Sequence, residues 1–221
     1  RLQCYTDAGR RGSVPNRKFF TQKEWFHMKK FILALTVLAL AAGCAPAAPR
    51  GKTLVAVFSK TGEQYHVGVI QEGNTMIVAK MIAAATGADL FEIRAANAYP
   101  EGYDETTDIA RKELRAGVRP ELAEDKDIGA YDTVFLGYPI WWGEMPMAVF
   151  TFLESHDWKG KTVVPFATHE GSGMGRTQES LQKALPDAKI LGGLAVRGAV
   201  AQNERPQAQQ AVTEWLAKLG L

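Results

Sequence analysis

The sequence is poor in cysteine, since its 221 residues contain only Cys4 and Cys44. Disulfide-stapled scaffolds need several cysteines, and structural zinc sites usually take four cysteine or histidine ligands. His66 and His156 have no partner at a metal-ligand spacing, so the sequence indicates no metal site. Because 46% of the residues are hydrophobic, we expect a fold stabilised by its apolar core.

Positive charge is scarce in most of the chain, although the net charge of the whole sequence is +2. Residues 1–44 contain eight Lys or Arg and two acidic residues, so residues 45–221 have a net charge near −4. Nucleic-acid binding needs clustered Lys and Arg that meet phosphates. The composition therefore predicts no nucleic-acid partner.

Long apolar runs are also scarce near the start of the chain. Residues 31–42 form an apolar run of 12 residues, which is too short to cross a bilayer but suits the core of a signal peptide. Lys29 and Lys30 precede this run, and Leu40-Ala41-Ala42-Gly43-Cys44 ends it. This ending resembles a bacterial lipoprotein processing box, although that family usually has Leu where Ala41 lies. The alternatives are an ordinary signal peptide and a buried helix with an incidental cysteine.

The lipoprotein resemblance implies an organisation for the first 51 residues. Residues 28–44 would be a signal peptide, and Cys44 would carry the lipid. Residues 1–27 show no periodicity, and we expect them to be a non-native upstream segment before Met28. Residues 45–51 are rich in proline and are typical of a tether. We therefore expect an exported protein that is lipid-anchored to a bacterial membrane, on its periplasmic or cell-surface side.

Apolar strands alternate with helices along residues 52–221, which predicts one α/β domain. Such alternation indicates a parallel sheet covered by helices on both faces, that is, a three-layer, doubly wound, five-stranded fold. The predicted strands cover residues 53–59, 89–94, 133–138, 162–168 and 189–196, and the predicted helices cover residues 75–85, 104–116, 145–154, 176–185 and 205–219.

Ligands of doubly wound sheets bind beyond the carboxyl ends of strands, and the loop after the first strand has the chemistry of an anion site. This anion loop comprises residues 59–62 and residues 74–75, which begin the first predicted helix. Helix-start N–H groups, hydroxyls and a glycine favour a phosphate monoester held largely without positive side chains. The alternative is a plain strand-to-helix connection capped by Asn74.

Two further loops have unusual compositions. The tryptophan loop, residues 139–143, has Trp141 and Trp142 between Pro and Gly, and an indole offers a flat face for stacking on a planar ring. The alternative is that both tryptophans anchor a core or an interface. The glycine loop, residues 168–173, exposes backbone groups to a ligand edge. His169 is either a ligand-facing donor or an incidental loop residue.

Taken together, the three loops resemble those of the flavodoxin family, in its branch with a GYPIWWG loop, here residues 137–143. The family phosphate loop resembles S-x-T-G-N-T, which residues 59–62 and 74–75 match, with residues 63–73 as an insertion. The resemblance covers roughly residues 52–221. Flavodoxin is the standard example of this sheet, so the resemblance implies the strand order 2-1-3-4-5 and an FMN cofactor.

The resemblance also assigns roles to residues. Trp141 would stack on the flavin ring, whereas the glycine loop lacks the tyrosine that the family often has there. One face of the flavin would then be open, or covered by Tyr65, Trp142 or Tyr103. The implied FMN-binding residues are Ser59, Lys60, Thr61, Gly62, Asn74, Thr75, Pro139, Ile140, Trp141, Trp142, Gly143, Thr168, His169, Glu170, Gly171, Ser172 and Gly173.

Several functions fit this resemblance. The first is an FMN electron carrier at the outer face of a bacterial membrane, with a redox partner protein. The second is an NAD(P)H-dependent quinone or flavin reductase, with a small quinone or flavin as substrate. The third is a binding module without flavin. No general acid–base pair is readable, so no catalytic residue is predicted. The acidic domain is expected to disfavour the anionic, fully reduced flavin and so to lower the reduction potential of the step that forms it.

Overall fold

The central sheet has five parallel strand positions in the part of the chain that the structure describes, residues 51–221 of a computed structural model. The predictions for residues 1–50, including the signal peptide and Cys44, lie outside the described residues. None of the helices in residues 51–221 is both long enough and apolar enough to cross a membrane.

The five predicted helices are present, and they separate the strand positions of the central sheet along the chain. The strands are β1 (Lys52–Phe58), β2 (Gly62–Gln64), β3 (Gly68–Ile70), β4 (Asp89–Ile93), β5 (Tyr131–Pro139), β6 (Thr162–His169), β7 (Lys189–Ile190) and β8 (Leu194–Arg197). The helices are α1 (Asn74–Thr86), α2 (Tyr103–Ala116), α3 (Met147–Glu154), α4 (Thr177–Ala184), α5 (Gly198–Asn203) and α6 (Arg205–Leu219).

The strand order confirms the doubly wound prediction. The sheet runs β4-β1-β5-β6, with β7 and β8 both paired to β6, and every pair is parallel. Leu54, Ala56 and Phe58 of β1 pack in the core that includes α3, whereas Val55 and Val57 pack in the core that includes α1 and α6. Because both faces of the central strand are buried, the fold has three layers.

The prediction of one continuous fifth strand over residues 189–196 is wrong. β7 pairs with the start of β6 and β8 with its end, and residues 191–193 lie between the two. Three residues on this edge stand opposite two on β6, Val164 and Pro165, which is the arrangement of a bulge. A Cβ added to Gly193 would lie 3.2 Å from the carbonyl oxygen of Pro165, so the chain passes close to β6 here.

A short hairpin and a short helix were not predicted. The insertion between the halves of the anion loop contains an antiparallel hairpin, in which β2 pairs with β3 and His66 at the tip has a φ of 59°. The six-residue helix α5 directly follows β8. By contrast, Gly87 was predicted to stop the first helix and does so, with a φ of 69° and its N–H donating to the Ala83 carbonyl oxygen.

Candidate functional site

A cavity of about 380 Å³ lies at the carboxyl ends of β1, β5 and β6, and all three predicted loops contribute to its wall. This volume falls in the range of small-molecule pockets, about 300–1,000 Å³. The predicted site residues in its wall are Lys60, Asn74, Thr75, Pro139, Ile140, Trp141, Trp142, Thr168, His169 and Glu170. The structure thus brings together residues from the three loops, and their contact with a cofactor stays a prediction.

The other predicted residues lie beside the cavity wall. Ser59 and Thr61 line a neighbouring groove, and the rest are Gly62, Gly143, Gly171, Ser172 and Gly173. The Ser59 hydroxyl accepts a hydrogen bond from the Met76 N–H at 3.0 Å. Ser59 therefore caps α1 from outside the helix. Its hydroxyl still has its own proton to donate, so its role as a ligand donor stays a prediction.

The N-terminus of α1 forms the polar end of the cavity. The first four N–H groups of a helix have no acceptor within the helix, and here Met76 donates to Ser59 whereas Asn74 and Thr75 line the cavity. The first turn contains no acidic residue, so nothing on the helix itself neutralises its positive dipole end. This end of the cavity suits a negatively charged group.

A buried hydroxyl pair connects the anion loop to the glycine loop. The Thr75 and Thr168 hydroxyl oxygens lie 2.7 Å apart, and both residues are almost fully buried. Beside them, Asn74 Oδ1 is buried and has no hydrogen-bond partner among the described residues. Since an unpaired buried acceptor is costly, this atom suits a ligand that brings a hydrogen-bond donor.

Trp141 is held from behind by aromatic residues. Its ring lies edge-on to Phe58, with 5.4 Å between ring centroids, and edge-on to Tyr99 at 5.0 Å. The Tyr99 hydroxyl donates to Glu113 at 2.7 Å. Burial raises the pKa of Tyr99 and also that of Glu113, where the Tyr99 hydrogen bond acts in the opposite direction. The ring therefore has a fixed support and still borders the cavity.

Trp142 turns towards α2. Its φ is 56°, which is uncommon for a bulky residue, and its Nε1–H donates to the Thr107 carbonyl oxygen at 2.8 Å. The Arg111 guanidinium lies 5.3 Å from the centre of the ring. Half of Trp142 is exposed. The two adjacent tryptophans therefore diverge, and both border the cavity.

His169 organises the glycine loop. Its Nδ1 accepts hydrogen bonds from the N–H groups of Gly171 at 2.8 Å and Gly173 at 3.1 Å. An accepting Nδ1 carries no proton, so the neutral ring is the Nε2–H tautomer. Burial lowers the pKa of His169, against the raising effect of Glu170, which favours this neutral form.

A buried carboxylate ties the tryptophan loop to the chain after the glycine loop. Glu144 accepts from Ser180 Oγ at 2.6 Å, from Arg176 Nε at 3.1 Å and from the N–H of Met145 at 3.0 Å. The Gly143 carbonyl oxygen also accepts from the Arg176 N–H. These bonds hold the tryptophan loop against the start of α4.

Lys60 places a cation in the cavity wall. Its ammonium donates to the carbonyl oxygens of Thr61 at 2.8 Å and Glu101 at 3.2 Å. Burial lowers the pKa of Lys60, and the nearby Glu101 and Glu63 oppose that shift. This ammonium thus stabilises the loop backbone.

Five further residues line the cavity: Gln64, Tyr65, Tyr103, Thr107 and Gly198. Tyr65 and Tyr103 were named as possible covers of a flavin face. Gly198 directly follows the carboxyl end of β8. Because ligands of doubly wound sheets bind beyond the carboxyl ends of strands, the sequence position of Gly198 could have indicated its place in the cavity wall. A Cβ on Gly198 would contact Asn74 Nδ2 and lie 2.9 Å from Glu170 Oε1. Thr107 gave no signal in the sequence.

The family model for flavodoxin matches residues 52–219. The chain belongs to the flavodoxin family. Membership makes FMN its cofactor, as the sequence resemblance implied. The cavity fits that cofactor, because FMN brings a phosphate for the start of α1, hydroxyl donors for the unpaired Asn74 Oδ1 and a flat ring for the tryptophan loop.

Solved structures agree with this flavodoxin assignment. A presumed flavoprotein from Bacteroides eggerthii is 34% identical, covers 77% of this chain and 99% of its own, and superposes with a TM-score of 0.62. A second one, from Bacteroides uniformis, is 32% identical, covers 74% and 98%, and has a TM-score of 0.60.

A flavoprotein from Lactobacillus acidophilus, solved in complex with FMN, is 21% identical and shares the fold, with a TM-score of 0.54 over 70% of this chain and 97% of its own. The comparison with curated proteins gives no match.

Proposed function

We propose that this flavodoxin-family protein is an FMN-dependent electron carrier at the outer face of a bacterial membrane. One observation carries the proposal: the acid-free start of α1, the unpaired Asn74 Oδ1 and both tryptophans border a single cavity. The lipoprotein-like Cys44 supports the location.

Different parts of the cavity wall would bind different parts of the cofactor. The first turn of α1, with Asn74 and Thr75, would hold the phosphate and a ribityl hydroxyl, and the tryptophan loop would hold the ring. Bound FMN supplies reversible transfer of one or two electrons. The protein contributes binding, orientation and exclusion of water from the buried side of the ring.

Three ionisable side chains in the wall already serve the protein scaffold, which supports a carrier. Glu170 accepts from the Ala199 N–H at 2.8 Å, the His169 Nδ1 accepts from two backbone N–H groups, and Lys60 donates to two carbonyl oxygens. These bonds are structural, so they favour a role that needs no proton-transfer residue of its own. Half-exposed Trp142 leaves apolar surface near the cavity for a redox partner.

The full-length protein can be purified, scanned for flavin absorbance and mixed without oxygen with NADH or NADPH. A carrier is expected to bleach only when a separate flavodoxin reductase is added. Steady NAD(P)H oxidation by the protein alone, with a quinone or free flavin as acceptor, would instead support the reductase alternative. If the protein is colourless and takes up no added FMN, the proposal of a flavin carrier is wrong.

A further inference from the structure

The hairpin of β2 and β3 is fastened to the start of α2. The Glu63 N–H donates to the Glu101 carbonyl oxygen at 2.9 Å, and the Glu63 carboxylate accepts from the Tyr103 N–H at 3.0 Å. Lys60 adds its bond to the same Glu101 oxygen. These bonds join the hairpin base to the first residue of α2. They therefore fix the position of the hairpin side chains relative to those at the start of α2.

This junction brings two tyrosine rings together at the cavity. Tyr65, just beyond β2, stacks on Tyr103 with 5.7 Å between centroids and 25° between ring planes. Both rings line the cavity, yet 54% of Tyr65 is exposed. A large apolar ring that borders a cavity and packs only in part against the protein has surface left for a ligand.

The glycine loop cannot offer such a surface. Its residues 168–173 include no Phe, Tyr or Trp, and the one ring it has, His169, is hydrogen-bonded to its own loop. Burial raises the pKa of Tyr103, so its phenol is uncharged at neutral pH. Aromatic surface for a flat ligand is therefore available from the tryptophan loop and from the hairpin.

We propose that Tyr65 and Tyr103 form an aromatic wall of the cavity that packs on one face of a flat, uncharged ring system. This inference rests on the proposed function, in which the ring is that of FMN. The hairpin inserted into the anion loop thus supplies the ring contact that the glycine loop lacks.

The experiment titrates the full-length apoprotein with FMN and with riboflavin, which has the same ring but no phosphate, and follows the quenching of ring fluorescence. Tyr65→Leu keeps apolar bulk and removes the aromatic face, so both ligands are expected to bind about three- to tenfold more weakly. Tyr65→Phe should bind both ligands like the wild type. Val69→Thr is the matched control, since Val69 is 74% exposed on the same hairpin and does not line the cavity.

The outcomes separate the inference from the function it rests on. Wild-type uptake of FMN with unchanged affinities in Tyr65→Leu would overturn the aromatic wall and leave the carrier proposal standing. Equal losses in Tyr65→Leu, Tyr65→Phe and Val69→Thr would also overturn it, since the hairpin would then matter only as scaffold. A loss confined to FMN would assign Tyr65 to the phosphate and contradict the ring contact. Failure of the wild type to bind FMN would remove both proposals.

Discussion

Two backbone hydrogen bonds at His169 hold the glycine loop against the cavity, so one ring nitrogen controls a segment of five residues. The Nδ1 atom accepts only while it is unprotonated. Burial lowers the pKa of His169 from its ordinary value of 6.5. A lowered folded-state pKa gives stability that is fully present above the unfolded pKa and is lost as the pH falls through the folded pKa.

Acidification is therefore expected to weaken the wild-type protein, and His169→Asn is expected to reduce that dependence by the His169 contribution. The Asn Oδ1 can take the place of Nδ1 as acceptor, but it does not titrate. The measurement is the free energy of unfolding of the apoprotein between about pH 8 and about pH 5, on either side of the ordinary histidine pKa.

His169→Gln is the matched variant for this residue, because its amide lies one bond further out and misses the Nδ1 position. It should be destabilised at every pH, by roughly 1 kcal/mol for each of the two lost hydrogen bonds. Identical pH profiles for the wild type and His169→Asn would show that His169 is not the titrating group.

The two halves of the anion loop are separated by a hairpin along the chain and still meet in space. The Ser59 hydroxyl reaches the N–H of Met76 in the first turn of α1. A Cβ on Gly73 would contact Ser59 Oγ and lie 2.8 Å from the Lys60 carbonyl oxygen, so the approach of the two segments requires glycine there. The start of α1 is thus set by a residue of the loop that follows β1.

Ser59→Ala is expected to destabilise the protein by about 1 kcal/mol, because it leaves the Met76 N–H without its capping acceptor. Urea unfolding of the apoprotein measures this. Ser172→Ala is the control, since Ser172 is exposed in the glycine loop and outside the cavity wall, and a change within about 0.5 kcal/mol is expected. An unfolding free energy for Ser59→Ala equal to that of the control would contradict the capping role.

The two cores of residues 51–221 share the central strands, so burial on both faces fixes where the carboxyl ends of β1, β5 and β6 meet. The site depends on this meeting, because each of its three loops begins where one of these strands ends. The proposed attachment of the domain to a membrane concerns the chain before residue 51.

We expect the mature protein to begin at a lipid-modified Cys44 and to fractionate with membranes. Cys44→Ala should abolish lipid labelling and release the protein from the membrane fraction, whereas Cys4→Ala should change neither. Mass spectrometry of the native N-terminus provides the readout. An unmodified Cys44 peptide, or a native peptide from residues 11–27, would show that the proposed anchor or the proposed upstream segment is wrong.

Local pattern was sufficient for the main elements of the fold. Uncharged apolar runs mark strands that are buried on both faces, and Pro206 in the first turn and Gly220 after the last mark the limits of α6, which begins and ends where it was predicted. The hairpin and α5 escaped prediction because three- and six-residue elements show too little periodicity. The split of the edge strand into β7 and β8 was not predicted, because it depends on how each part pairs with the neighbouring strand β6.

For the site, the sequence by itself determined the chemistry of the three loops, since residue types and their order after each strand are local properties. Only the tertiary structure decided which of those residues border the cavity and which support it, as with Ser59 at the start of α1. It also brought Tyr103 and Thr107 of α2 to a wall shared with Trp142. The physical reason is that packing joins positions far apart in the chain, and no local pattern records which distant neighbour a side chain meets.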